Sequence, residues 1–215
     1  LQDKPYLKEL TQRQGKLSLM DLGCRHGNSL IHAYHLFGFS DCRGIDLSTL
    51  EYMLSDFYFF NRYHDKLAEP LQDLLEKGLS PGELLLQYYQ LIATQIMGLA
   101  QPLESREGFQ KHFQISYELP IEDYLSSGKA QASFDLVLLA KVLHFHPVKD
   151  PMRVVQQAMK LLRKGGILFV KTWIRTHPDG RRRDVAMKDV DKWIKDFEVL
   201  SKEKEGELAY VFLRK

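Results

Sequence analysis

The chain is predicted to be an α/β three-layer sandwich: a mostly parallel sheet closed by a C-terminal antiparallel hairpin strand, with a helical insertion. Three observations predict this. Apolar residues run from Leu17 to Leu22, stop at a glycine-bearing loop, resume at helical spacing (Leu30, Ile31, Tyr34, Phe37) until Gly38, and return in a strand ending Gly44-Ile45-Asp46. Phe134-Asp135-Leu136-Val137-Leu138-Leu139-Ala140 is a near-continuous apolar run, the pattern of a strand buried on both faces of a parallel sheet. Residues 197–201 and 208–213 read as strands joined through Glu205-Gly206-Glu207, a turn too short for a parallel crossover, so they form a hairpin.

With 215 residues the chain can bury a full core and is read as one domain over 1–215. Its 44% hydrophobic and 27% charged residues are those of a soluble globular protein, and no apolar run approaches the ~20 residues of a membrane span. Lys and Arg exceed Asp and Glu by 30 to 28, a net charge of +2 that does not announce a nucleic-acid binder. Cysteine occurs twice, at Cys24 and Cys42, too sparsely for a secreted disulfide framework, and no charged-then-apolar leader is visible. The expectation is a cytoplasmic protein.

In chain order, residues 4–14 set Tyr6, Leu7 and Leu10 among charges before Gly15, which predicts a short amphipathic helix packed on a sheet edge. The first strand feeds the loop Gly23-Cys24-Arg25-His26-Gly27. A parallel pair joined by a helix brings that loop beside Asp46 at the carboxyl ends of the strands, where open α/β sheets bind ligands. Gly23 can take backbone angles closed to other residues, and Gly27 lets the helix start close against a ligand and the sheet. His32 and His35 share the polar side of that helix, with no third ligand in view, so a solvated face is expected and no metal.

These residues resemble the nucleotide-binding half of class I S-adenosylmethionine (SAM)-dependent methyltransferases, which have a Rossmann-like fold. The family's first motif is an acid, any residue, then alternating glycines, and Asp21, Gly23 and Gly27 match it. Asp46 follows about 20 residues later, where such folds place a carboxylate that accepts hydrogen bonds from ribose hydroxyls. The departure is Arg25, which stands where the family usually has glycine, on the path of the cofactor's amino-acid tail; it either swings outward or pairs with a carboxylate. The resemblance implies SAM as cofactor and S-adenosylhomocysteine as product, held by Asp21, Gly23, Cys24, Arg25, His26, Gly27, Asp46 and Leu47. It covers roughly residues 17–48 and 113–215.

Between these parts lies an insertion, residues 52–112. Ser48-Thr49-Leu50-Glu51 reads as a capping box opening a helix with Tyr52, Phe57, Tyr58, Phe59, Phe60 and Tyr63. Residues 70–77 read as a shorter helix, and Ser80-Pro81-Gly82-Glu83 opens another that runs through Leu84, Leu85, Tyr88, Tyr89 and Ile92. The insertion is a lid if it precedes the core helix and lies at the far rim or beside the edge strand if it follows; spacing leaves this open. Aromatic stripes at helical spacing are usually core, so a structural or oligomerising role outweighs a lid, and a homo-oligomer formed through the insertion is an open expectation.

Residues 113–117 alternate like a strand, and Glu118-Leu119-Pro120-Ile121-Glu122-Asp123 after them resembles the family's adenine loop. The usual aspartate is absent, so Ser116, Tyr117 or Glu118, with backbone groups, would serve adenine. The central strand ends at Ala140, which the resemblance assigns to the cofactor, and exits through Lys141-Val142-Leu143-His144-Phe145-His146-Pro147, similar to the family's leucine-histidine pair. Asp150-Pro151 opens a helix with Val154, Val155, Ala158, Leu161 and Leu162 on one face, stopped by Gly165-Gly166 and followed by a strand over residues 167–173.

Methyl transfer from a sulfonium is an in-line displacement, accelerated by holding nucleophile and methyl in line, and a base is optional. His144, at the mouth of the central strand, is the candidate base, set against a packing role. Lys141 and Lys171 stand at the ends of the two strands bordering the site, and Arg181-Arg182-Arg183 follows in the next loop; these suit an acidic acceptor such as a carboxylate or phosphate, set against plain exposed charge. Nucleic acid is the less favoured acceptor, because the family's Asn/Asp-Pro-Pro-Tyr motif is absent after Ala140. The reading is a SAM-dependent methyltransferase acting on a small, acidic molecule. Its alternative is a catalytically inactive binding or scaffolding module of the same fold, for which Arg25 and the missing adenine acid speak. A nicotinamide enzyme is opposed by Asp21 and the terminal hairpin.

Overall fold

The computed structural model describes residues 4–12, 15–25, 27–49, 64–96, 98, 106–128, 132–145, 147–174 and 183–215. His26, His146, Arg181, Arg182 and the aromatic run of residues 52–63 lie outside them. The chain runs α1 (Pro5–Thr11), β1 (Leu17–Leu22), α2 (Asn28–Phe37), β2 (Phe39–Ile45), α3 (His64–Glu76), α4 (Pro81–Leu91, continued by a wider turn over Ile92–Ile96), α5 (Arg106–His112), β3 (Phe113–Ser116), α6 (Ile121–Ser126), β4 (Phe134–Ala140), α7 (Pro151–Leu161), β5 (Leu162–Trp173), α8 (Met187–Ile194), β6 (Glu198–Glu205) and β7 (Leu208–Arg214). The strands form one sheet in the order β3-β2-β1-β4-β5-β7-β6. β1 to β5 pair in parallel, and β7 runs antiparallel to both β5 and β6, so the hairpin closes the sheet as expected.

Strand residues alternate between two cores, as the two-residue period of a pleated strand requires. Leu19, Leu136, Phe169 and Phe212 face one with Leu30 and Ile31 of α2; Met20, Val137, Val170 and Val211 face the other with Val154 and Val155 of α7 and Trp193 of α8. α1 packs on the hairpin side of the first core. The Tyr6 ring lies 4.9 Å from that of Phe212, its hydroxyl is 2.9 Å from Ser201 Oγ, and Arg214 pairs with Glu9 at 2.9 Å.

The insertion joins this first core. Leu71, Leu74, Leu84, Leu85, Tyr88, Tyr89 and Phe109 are buried in it with Leu30, Ile31 and Phe113, so these residues of the insertion's apolar stripe pack within the chain. The Ser80 start is confirmed: the Glu83 carboxylate accepts the Ser80 N–H at 3.1 Å. α3 begins at His64, ahead of the expected residue 70, and carries Pro70 inside it. A proline suits a helix start, but burial of Leu71 and Leu74 outweighs the one hydrogen bond it removes here.

α7 starts as predicted, with the Asp150 carboxylate accepting the Arg153 N–H at 3.0 Å, but it ends at Leu161. β5 starts at Leu162, five positions before the expected residue 167, because β4 and the chain terminus capture the segment: Leu162 pairs with Phe134, Gly165 N–H donates to Lys215 O at 2.8 Å, and Lys215 N–H donates to Gly166 O at 3.1 Å.

Candidate functional site

β1 has β2 on one side and β4 on the other, and this reversal of strand order opens the crevice where α/β sheets bind ligands. Asp21 lies there, in register with Gly44 of β2 and Leu138 of β4. It is 2% exposed. Burial pushes its pKa up to about 7; a hydrogen bond from the Ser29 side chain opposes the shift and the nearby Asp46 charge adds to it. Its Oδ1 is buried and has no hydrogen-bond partner.

The loop after β1 folds over the end of β2, for the Gly23 and Cys24 N–H groups both donate to Ile45 O at 2.9 Å. Gly23 has φ +88°, and a Cβ there would lie 2.2 Å from Val142 Cγ1. Cys24 is buried with its sulfur on β2: a Cβ on Gly44 would lie 2.6 Å from Cys24 Sγ. Cys24 therefore contributes packing through its side chain. Arg25 has φ +51°, which explains glycine in the family at this position, and the residue is exposed. Its backbone N–H donates to Asp46 Oδ2 at 2.8 Å. Gly27, at φ +78°, precedes α2 and offers no side chain to cap it.

Asp46 is buried and ties three segments together. Its Oδ1 accepts the Ser48 N–H at 3.0 Å, its own N–H donates to Ser116 O at 3.0 Å, and its carbonyl accepts the Leu119 N–H at 2.9 Å. Leu47 and Ser116 are exposed and Tyr117 is half-buried on these strand ends. Asp21, Gly23, Cys24, Arg25, Gly27, Asp46, Leu47, Ser116 and Tyr117 thus share the carboxyl ends of β1, β2 and β3. A buried carboxylate oxygen without a donor, next to a helix start without a capping side chain, suits an ammonium and a carboxylate of one zwitterion. A second carboxylate, already ordered by two N–H groups, suits hydroxyl donors.

On the other side of the crevice Ala140 is half-buried and in register with Lys171. The Lys141 N–H donates to Lys171 O at 2.6 Å, Lys141 Nζ lies 5.1 Å from the Trp173 ring centroid, and Lys171 Nζ lies 4.9 Å from that of Tyr210. Burial, then the charge of Lys141, lowers the Lys171 pKa, while Glu205 at the rim opposes this. Arg183 is occupied elsewhere: its guanidinium donates to Val148 O, and its N–H to His144 O at 2.8 Å. His144 is 1% exposed, its ring 4.4 Å from that of Phe145. A cleft of about 520 Å³ lined by Glu122, Asp123, Lys149 and Arg153 lies between α6 and α7 and contains none of these residues.

Sequence reasoning missed Val142 over Gly23, and Tyr88 and Tyr89 against the start of α2. Their pairings span from 60 to 119 residues, beyond any local signal. Gly44 was readable in principle, since a glycine inside a strand marks close approach of other atoms. Among the described residues no helix is long and apolar enough to cross a membrane, and no group of three or more His, Cys, Asp or Glu is placed to hold a metal.

Residues 3–208 match the profile of a family described as a methyltransferase domain. No curated protein matches the chain in sequence. Among solved structures, the [4+2]-cyclase SpnF superposes with a TM-score of 0.57 at 14% identity, over 97% of this chain and 78% of that one. A SAM-dependent methyltransferase from Mesorhizobium loti gives a TM-score of 0.53 at 15% identity, over 98% and 96%. The 1,6-didemethyltoxoflavin-N1-methyltransferase of Burkholderia thailandensis, solved with its substrate and S-adenosylhomocysteine, gives 0.53 at 13% identity, over 100% and 80%. At these identities the structures show a shared fold, and a cyclase among them shows that the fold hosts more than one reaction.

Proposed function

The chain belongs to the SAM-dependent methyltransferase family, and on that premise we propose that it methylates a small acceptor that carries an acidic group. The observation that carries the cofactor side is the pair of buried carboxylates, Asp21 and Asp46, meeting the glycine loop at the strand ends, with Asp21 Oδ1 lacking a donor. The residues fit the group: Asp21 would hold the ammonium of the SAM amino-acid tail, the start of α2 its carboxylate, Asp46 the ribose hydroxyls, and Leu47, Ser116 and Tyr117 would flank adenine. SAM supplies, when bound, an electrophilic methyl on a sulfonium. The chain supplies position.

The test is calorimetric titration with SAM and with S-adenosylhomocysteine, on wild type and Asp46→Ala. Hydrogen bonds to a charged acceptor contribute roughly 1.5–3 kcal/mol, so Asp46→Ala should weaken binding on the order of 10- to 100-fold. Its melting temperature should also fall, because Arg25 and Ser48 lose their acceptor. A folded mutant with unchanged affinity would reduce Asp46 to a loop brace.

The acceptor side rests on Lys141 and Lys171, two mutually repelling cations over Trp173 and Tyr210. A cationic sulfonium gains nothing from them, whereas an anion relieves their repulsion. His144, buried against Phe145, shapes the strand exit, and a base is dispensable where the nucleophile is already an anion. Phosphate and benzoate serve as probes: by NMR of labelled lysines, saturating anion should raise the Lys171 pKa toward its ordinary value. An unmoved titration with both probes would sink the acidic acceptor.

A further inference from the structure

Two residues that hold the Gly27 end of the cofactor loop come from the insertion. Tyr89 of α4 donates its hydroxyl hydrogen to Gly27 O at 3.0 Å, and Tyr88 donates to Asn28 Oδ1 at 2.9 Å. Both rings are buried, and burial raises both phenol pKa values well above the ordinary 10, so they remain donors across the working pH range. Gly27 is clamped from two sides: a Cβ there would lie 2.8 Å from Ile115 Cδ1 of β3 and 3.4 Å from the Tyr89 hydroxyl. The Tyr89 ring is itself wedged, 4.8 Å from Phe109 and 4.7 Å from Phe113. Tyr117, on the adenine side of the site, lies near enough to act electrostatically on both phenols.

Gly27 is in the left-handed region at φ +78°, and glycine populates many other conformations at similar energy. Within the loop the Gly27 N–H donates to Cys24 O at 2.9 Å, and contacts from outside the loop add to the selection of this conformation. Backbone bonds from Leu30 and Ile31 to Gly27 O, at 3.0 and 3.2 Å, form the helix but do not orient it against β3. The phenols add bonds from α4 to the start of α2, and the Tyr89 ring rests against Phe113 of β3.

We propose that Tyr89 and Tyr88 are positioning residues for the cofactor loop, and that the insertion and the SAM site form one thermodynamic unit, each ordering the other. The inference rests on the reading that this loop binds SAM. Linkage makes it reciprocal: a helix that favours the binding geometry is itself stabilised when the loop is filled.

Two measurements test it. Tyr89→Phe keeps the ring between Phe109 and Phe113 and removes a single hydrogen bond, so the chain should fold; SAM affinity measured by calorimetry should fall about five- to tenfold, the equivalent of one neutral hydrogen bond. Tyr88→Phe should show a smaller loss in the same direction. A merely structural pair would lower the melting temperature and leave affinity per folded molecule unchanged. In the wild type, without any substitution, SAM should slow hydrogen exchange of the amides of residues 85–96, on the helix that carries both phenols. Equal affinity in Tyr89→Phe, or unchanged exchange over 85–96 with SAM bound, overturns the inference alone. A wild type that takes up no SAM overturns the cofactor reading and this inference with it.

Discussion

Asp21 is a buried carboxyl displaced far from its ordinary state. Its carboxyl titrates near 7 in the folded chain against 3.8 when free, so between those values the folded state binds more protons than the unfolded state. Stability from this group is full below about pH 4 and is lost as pH rises through 7. The melting temperature of the ligand-free chain should therefore fall from pH 5 to pH 8, and Asp21→Asn should flatten that slope. An ammonium on Oδ1 favours the ionised form, so SAM should bind more tightly as pH rises through the same window, with proton release. Calorimetry in buffers of different ionisation enthalpy reads this directly, and binding without proton release would remove Asp21 from the ammonium site. Arg25 shows the opposite economy of a residue. A non-glycine in the left-handed region costs on the order of 1–2 kcal/mol, and the Arg25 N–H bond to Asp46 at 2.8 Å is what holds it there.

At the scale of elements, the crossing of the first loop over β2 is a tight join. Because a Cβ on Gly44 would stand 2.6 Å from Cys24 Sγ and 2.9 Å from Cys24 Cβ, Gly44→Ala must lift the loop or bend the strand. Overpacking of this kind costs about 1–3 kcal/mol, so urea denaturation should show a loss near 2 kcal/mol, and SAM affinity should fall with the displaced loop. Unchanged affinity would mean that the loop's position on β2 does not set the site. Most elements were legible in advance because their signals are local: Gly38 after α2, Ser80 with Glu83 before α4, and Asp150-Pro151 before α7 each satisfy backbone groups within a few residues. α3 and β5 were misjudged at their starts because packing of Leu71 and Leu74, and capture of Gly165 by Lys215, come from elsewhere in the chain.

Across the whole molecule the sheet separates its work between two ends. The carboxyl ends of the strands hold the site, while the opposite end is locked by Asp135, whose Oδ2 accepts the Ser18 N–H and the Ser18 hydroxyl, both at 2.9 Å, and Arg163 Nη1 at 3.2 Å. Removing a buried carboxylate that serves several donors leaves them unsatisfied, at a cost of about 2–4 kcal/mol. Asp135→Ala should lower the melting temperature by roughly 5–10 °C for a chain of this size. SAM affinity at 15 °C, where the mutant is still folded, should match wild type. A loss of affinity there would show that the two ends are coupled through β1 and β4.

Residue pattern alone established the fold class, the hairpin closure and the meeting of the glycine loop with Asp46, because each follows from periodicity, turn chemistry or spacing along a short stretch, while Asp21 was singled out by its match to the family's first motif. Tertiary structure decided the rest. That Asp21 lacks a donor, that Val142 sits on Gly23, that Arg183 is spent on the loop before α7, and that the insertion reaches the loop through Tyr88 and Tyr89 are facts about atoms brought together from distant parts of the chain. Such contacts leave no trace in local spacing, since hydrogen bonding and close packing depend on where side chains end in space and not on how far apart they stand in sequence.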